Sequence, residues 1–190
     1  MDNIISLAIL FAMIGIGVYV VMIFNRVIAL KNDIAKAWSN IDILLKQRHD
    51  ELPKLLDVCK GYMDFERDTL QKITQARSMY SQAVSLDQKA QADQSTTSAL
   101  RGLFAVAENY PQLKANDNFT QLERRITELE SEIADRREFY NDSVNTFNIR
   151  IQQMPDTLIA SFMSVRPQPL FQVEAPDRAD VSMAFGAAAK

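Results

Sequence analysis

The sequence predicts an all-α membrane protein: an N-terminal transmembrane helix continuing into an antiparallel, up-and-down helical bundle. Three observations carry this. Residues 4–24 form an apolar run without one charged side chain. Beyond it, apolar residues recur at steps of three and four, the period of a single helix face. Five Gly and six Pro in 190 residues are about half the usual share, so loops are few.

The run IISLAILFAMIGIGVYVVMIF (residues 4–24) has only the hydroxyls of Ser6 and Tyr19 as polar side-chain groups. At about 1.5 Å per residue, a helix of this length spans about 30 Å of hydrocarbon. It lacks the basic leader of a secretory signal and exceeds the usual 7–15 apolar residues of one. Residues 1–3 carry no Lys or Arg, whereas Arg26, Lys31 and Lys36 follow the span. The positive-inside rule then puts residues 1–3 outside and the rest in the cytoplasm. Ala8, Ala12 and Gly15 fall at i, i+4 and i+7 and share a face, where small residues let a second helix approach closely.

Val27, Leu30, Ile34, Ala37, Ile41 and Leu44 continue the helical stripe, and no Gly or Pro interrupts residues 18–52. The span therefore extends into the cytoplasm as a stiff stalk. Asp50, Glu51 and Pro53 suit the first turn of a new helix, expected over residues 51–86. A simple hairpin there conflicts with length. The stalk before it is about 37 Å and the returning helix about 54 Å, which would drive the latter into the bilayer. Either Gly61 breaks the second helix, or the chain passes Pro53 with only a kink.

Residues 87–97 (DQKAQADQSTT) are polar and aperiodic and predict a loop, with a third helix over residues 98–110. Asn116-Asp117-Asn118 is a cap cluster before the last long helix. There Phe119, Leu122, Ile126, Leu129, Ile133, Tyr140, Val144, Phe147 and Ile151 keep a coiled-coil-like rhythm. Arg136 stands between Ile133 and Tyr140, where an apolar residue belongs. A buried Arg needs a partner, and Asp42, Asp50 and Asp64 are candidates. The alternative is that Arg136 lays its stem over the seam with its head in water. Asn141, Asn145 and Asn148 lie beside the seam and predict hydrogen bonds to a neighbouring helix, where buried amides fix register.

The bundle is read as residues 25–165, with an extended segment and tail over 166–190 following Arg166-Pro167-Gln168-Pro169. The last long helix returns toward the membrane. Leu158, Ile159, Phe162, Met163 and Phe171 are therefore candidates for contact with the membrane or a second copy, rather than with the chain's own core.

A charge of -3 gives no reason to expect nucleic acid. One Cys and one His cannot build a zinc site of three or four N/S ligands. In an unbroken helix Cys59 and His49 would be about 15 Å apart, beyond any nucleophile–base contact. No phosphate loop, nucleophile elbow or HExxH pattern occurs.

Two blocks resemble the LemA family. In AWSNIDILLKQRHDELPKLLDVCKGYMDFERDTLQKITQAR (residues 37–77), Trp38, Asp42, Arg48, His49, Asp50, Pro53, Gly61 and Tyr62 match the family pattern. In RREFYNDSVNTFNIRIQQMPDTLIASFMSVRPQPLF (residues 136–171), Tyr140, Asn141, Val144, Asn148, Pro155 and Ala160 match it. NYPQLKANDNF, residues 109–119, fits the segment between. Met154, Leu170 and Gln172 depart from the pattern, which alters the family's C-terminal contact. The resemblance implies a single-pass protein of the bacterial inner membrane with a cytoplasmic helical bundle, no catalytic activity and no cofactor. Some relatives look like membrane organisers, one of them in magnetosome biogenesis. Others resemble neighbours of membrane proteases and of phosphatase-like domains.

The function expected from all this is a non-catalytic, self-associating scaffold that organises or shapes the membrane. One rival is an adaptor for a membrane protease or signalling partner, expected to be a monomer or small oligomer when purified alone. Another is an enzyme, which requires a concave polar pocket.

Overall fold

The structure is a computed structural model and describes residues 1–63 and 66–171. Among these residues every regular element is a helix: α1 (Asp2–Lys60), α2 (Arg67–Gln82), α3 (Leu86–Ala107), α4 (Pro111–Lys114), α5 (Asp117–Gln152) and α6 (Asp156–Phe162).

α1 has 59 residues and is about 90 Å long. Its first part is long and apolar enough to cross a membrane, with a window of mean hydropathy 2.7. The helix boundary expected at residues 49–53 is absent, because α1 runs through Pro53. A Pro inside a helix costs about 3 kcal/mol through a lost hydrogen bond and a crowded carbonyl. Leu52, Leu55 and Leu56 around it are all buried, and each contributes about 1.5–3 kcal/mol. Packing therefore outweighs the local break. α1 ends at Gly61, where the Cys59 carbonyl accepts from the amides of Tyr62 and Met63. The length conflict disappears, since residues 51–60 prolong α1 outward and only the 16 residues of α2 return.

The loop expected at residues 87–97 is also absent. α3 starts at Leu86 behind a capping box: Ser85 Oγ accepts from the Gln88 amide at 3.2 Å, and Gln88 Oε1 accepts from the Ser85 amide at 3.1 Å. Its inward face is Ala90, Ala92, Asp93 and Thr96, all buried. Small and polar residues pack close here, so a hydropathy period cannot reveal the helix. The third helix expected at 98–110 is the outer half of α3.

α1 and α5 form the central antiparallel pair. Arg48 meets Glu130 and Trp38 meets Tyr140, so each step along α1 is matched by a step back along α5. α3 runs in the direction of α1: Lys89 pairs with Asp42, and Asp93 with Arg48. α2 returns beside it, bringing Tyr80 against His49 with ring centroids 4.8 Å apart. The order is therefore out, back, out, back. One core gathers Val27, Ile34, Ile41, Leu45, Ile133, Val144, Phe147 and Ile151 nearer the apolar segment. The other gathers Leu52, Leu55, Cys59, Ile73, Leu100, Leu103, Phe119 and Ile126 at the far end.

Candidate functional site

Between the two cores lies a layer of buried charge. Arg48, on α1, is 2% exposed and pairs with Asp93 of α3, which is fully buried, and with Glu130 of α5. Its guanidinium also donates to Thr97 Oγ1 at 3.1 Å, and the Thr97 hydroxyl donates to Glu130 at 3.0 Å. Arg137 of α5 reaches Asp93 at 3.0 Å as an ion pair without hydrogen-bond alignment. Two arginines and two carboxylates thus balance in charge across three helices.

Arg137, not Arg136, is the arginine of the seam. Arg136 is exposed. The heptad reading took the i+3 position after Ile133, whereas the helix turns the i+4 residue inward. Its candidate partners are elsewhere: Asp42 pairs with Lys89, Asp50 is exposed, and Asp64 lies outside the described residues.

Asn141 and Asn148 hydrogen-bond the extended chain after α6, not a neighbouring helix. Asn148 Oδ1 accepts from the Gln168 amide at 2.8 Å, and its Nδ2 donates to the Gln168 carbonyl at 2.9 Å. Asn141 Oδ1 accepts from the Phe171 amide at 2.8 Å, and its Nδ2 donates to the Phe171 carbonyl at 3.3 Å. The Tyr140 hydroxyl donates to the Pro169 carbonyl at 3.2 Å. Each Asn thus pairs with one residue of the strap as a neighbouring β-strand would. Asn145, on the same helix, is exposed.

This strap carries Phe171 inward. Phe171 is 3% exposed, 5.9 Å from the Trp38 ring, with the Arg137 guanidinium 5.7 Å from its centroid. The expectation of a contact outside the chain is therefore wrong for Phe171, which fills the core. α6 divides the other candidates. Ile159 and Met163 pack on the core, while Leu158 and Phe162 face out at 61% and 88% exposure. Met154, in the turn before α6, is also exposed. The small face of Ala8, Ala12 and Gly15 is bare, and a Cβ added at Gly15 would meet nothing.

A model of the LemA family matches residues 37–185. "Protein LemA" of Metamycoplasma hominis is 32% identical over 178 residues, covering 91% of this chain and 81% of that protein. The chain belongs to the LemA family. Two proteins of Paramagnetospirillum magneticum, "Magnetosome protein MamQ 1" and "Magnetosome protein MamQ 2", are each 35% identical over 81 residues, which is 43% of this chain and 30% of theirs. Family and apolar helix together make this a membrane-associated protein.

The LemA match contains the ionic layer, the Asn clamps and the aromatic plug. Arg48, Asp93 and Arg137 were missed as a site because each is charged, yet each stands on an apolar seam. The series Ile41, Leu45, Arg48, Leu52 keeps the three–four step, as do Ile133, Arg137, Tyr140 and Ala90, Asp93, Thr96, Leu100. A charge on a continuing stripe was the available signal.

Nucleophilic chemistry finds no support in this LemA chain. Cys59 is buried and burial pushes its thiol up to about 11, which keeps it protonated at neutral pH. His49 lies one helix segment away on α1, its pKa lowered by burial and then by Arg77, with Asp50 opposing. Burial and the charges of Asp42 and Asp50 push the Tyr80 hydroxyl beside it up to about 12. Among the described residues no group of three His, Cys, Asp or Glu could hold a metal. One groove of about 410 Å³ is lined by Lys54, Val58, Asn118, Gln121, Leu122 and Arg125, with no acid–base pair converging in it.

Proposed function

We propose that this LemA-family protein is a non-catalytic scaffold. It is anchored in the bacterial inner membrane with its N-terminus outside and its bundle in the cytoplasm, and it organises the membrane by self-association. The observation that carries the reading is α1, a single helix whose apolar first part is bare and whose remainder is the spine of the bundle. Such a rod couples the position of the bundle to the tilt of the span, because no hinge separates them. Contacts between neighbouring bundles then act directly on the lipid below.

Two features suit lateral contact: the small face of Ala8, Ala12 and Gly15, and the exposed charges of α5, where Arg124 and Glu128 pair on the surface. Similarity to proteins named for the magnetosome fits a role at a membrane. The test is the mass of the full chain purified in mild detergent. The scaffold gives particles of many chains, and Ala12→Leu reduces their size by blocking close approach of spans. A monomeric wild type contradicts self-association and favours the adaptor reading.

A further inference from the structure

The exposed side of α6 lies at a defined height. Stepping the α1–α5 register from Trp38–Tyr140 places Ile151 beside Val27, one turn above Ile23, with α5 ending at Gln152. Ile23, Val27 and Ile151 are all buried, as that register requires. The turn before α6 therefore reaches the last apolar turn of the α1 span. α6 packs on the same core through Ala160, Ile159 and Met163. Its outward residues Leu158 and Phe162, one turn apart, are thus held beside the level where α1 leaves its apolar run.

We propose that Leu158 and Phe162, with Met154, sit in the interfacial layer of the bilayer that α1 crosses, giving each chain a second, shallow membrane contact. The proposal rests on the reading of α1 as a membrane span. Lipid is the occupant for three reasons. The patch is continuous with the span. Exposed Arg26 and Lys31 of α1 and Arg166 just past α6 surround that level, placed for lipid phosphates. Three side chains also fall well short of the ~800 Å² per partner that a specific protein interface buries. The contact fixes the chain's rotation about α1, because a wedge on one side of a single span defines which way the bundle faces. Chains in one membrane then share a standing orientation, which lateral contacts require.

The test uses the full chain in vesicles of phosphatidylethanolamine and phosphatidylglycerol with brominated acyl chains. Phe162→Trp adds an indole at the patch. Phe139→Trp adds one at an exposed α5 position about 20 Å along α1 from the span. The expected result is that bromolipid removes about half the added emission of Phe162→Trp and none of that of Phe139→Trp. Phe162→Trp emission untouched by bromolipid overturns the proposal, whether iodide quenches it from water or protein shields it from both. Leu158→Ser with Phe162→Ser is expected to leave the particle mass in detergent unchanged. Smaller particles would make the patch a protein contact, overturning the lipid assignment while leaving the scaffold standing. Wild-type protein released by an alkaline wash would overturn the span and the proposal together.

Discussion

Asp93 holds two arginines at once, and its surroundings decide what that means. Its carboxylate is fully buried between Arg48 and Arg137, and Glu130 supplies the second negative charge. Burying such a set costs several kcal/mol per ion, and mutual attraction repays this only when every member is present. The layer is therefore a poor source of net stability and a strong device for register, because any axial shift of α1, α3 or α5 would strand a charge. Asp93→Ala leaves the buried Arg48 and the partly buried Arg137 each short of a partner. It is expected to destabilise the bundle by about 3–5 kcal/mol in chemical unfolding followed by helicity. Arg136→Leu, one residue from the seam, is expected to change stability by no more than about 0.5 kcal/mol. An Asp93→Ala protein as stable as wild type would show that the carboxylate is hydrated and that the layer does not set register.

At the scale of elements, tertiary packing overrode two local signals. Pro53 with Asp50 and Glu51 reads as a helix start, yet the apolar stripe continues through Leu52, Leu55 and Cys59 and keeps α1 intact. DQKAQADQSTT reads as a loop, yet Ala90, Ala92 and Thr96 let α3 approach its neighbours closely, and Ser85 with Gln88 caps it. The apolar run of α1, α5 and the asparagine positions were legible because each depends on a period or a charge count that the chain displays directly. The asparagines' partner was not, since a strap after two prolines has no period. Each Asn clamp makes two hydrogen bonds worth about 0.5–1.5 kcal/mol apiece. Asn141→Ala with Asn148→Ala is therefore expected to speed amide hydrogen exchange at Gln168 and Phe171 by at least about tenfold. Helix α5 amides should be unaffected. Unchanged exchange at those two amides would show that the buried Phe171 alone holds the strap.

For the whole molecule, the all-α class and the order out, back, out, back follow from the apolar run, the scarce Gly and Pro and the seam of α5. What the seams hid was their own charged members: Arg48, Asp93 and Arg137 interrupt the hydropathy pattern at the height where three helices must agree. The division of α6 into a core side and an outward side was equally hidden, because Leu158, Ile159, Phe162 and Met163 are all apolar. Only the packing of α6 on the α1–α5 core distinguishes them. These features share one dependence. Ionic layer, strap and outward patch are placed relative to the membrane only if α1 is a single helix from its apolar run to Arg48, and the far core with Leu55 and Cys59 only if that helix continues past Pro53.

That continuity can be measured directly, as the distance between spin labels at Ile28 and Asp57, both exposed on α1, in the full chain in lipid nanodiscs. Helical rise over the 29 intervening steps puts the backbones about 43 Å apart, and this is the expected separation. A distribution centred near half that value would mean that the chain folds back at Asp50–Pro53, and would contradict the rod on which the account is built.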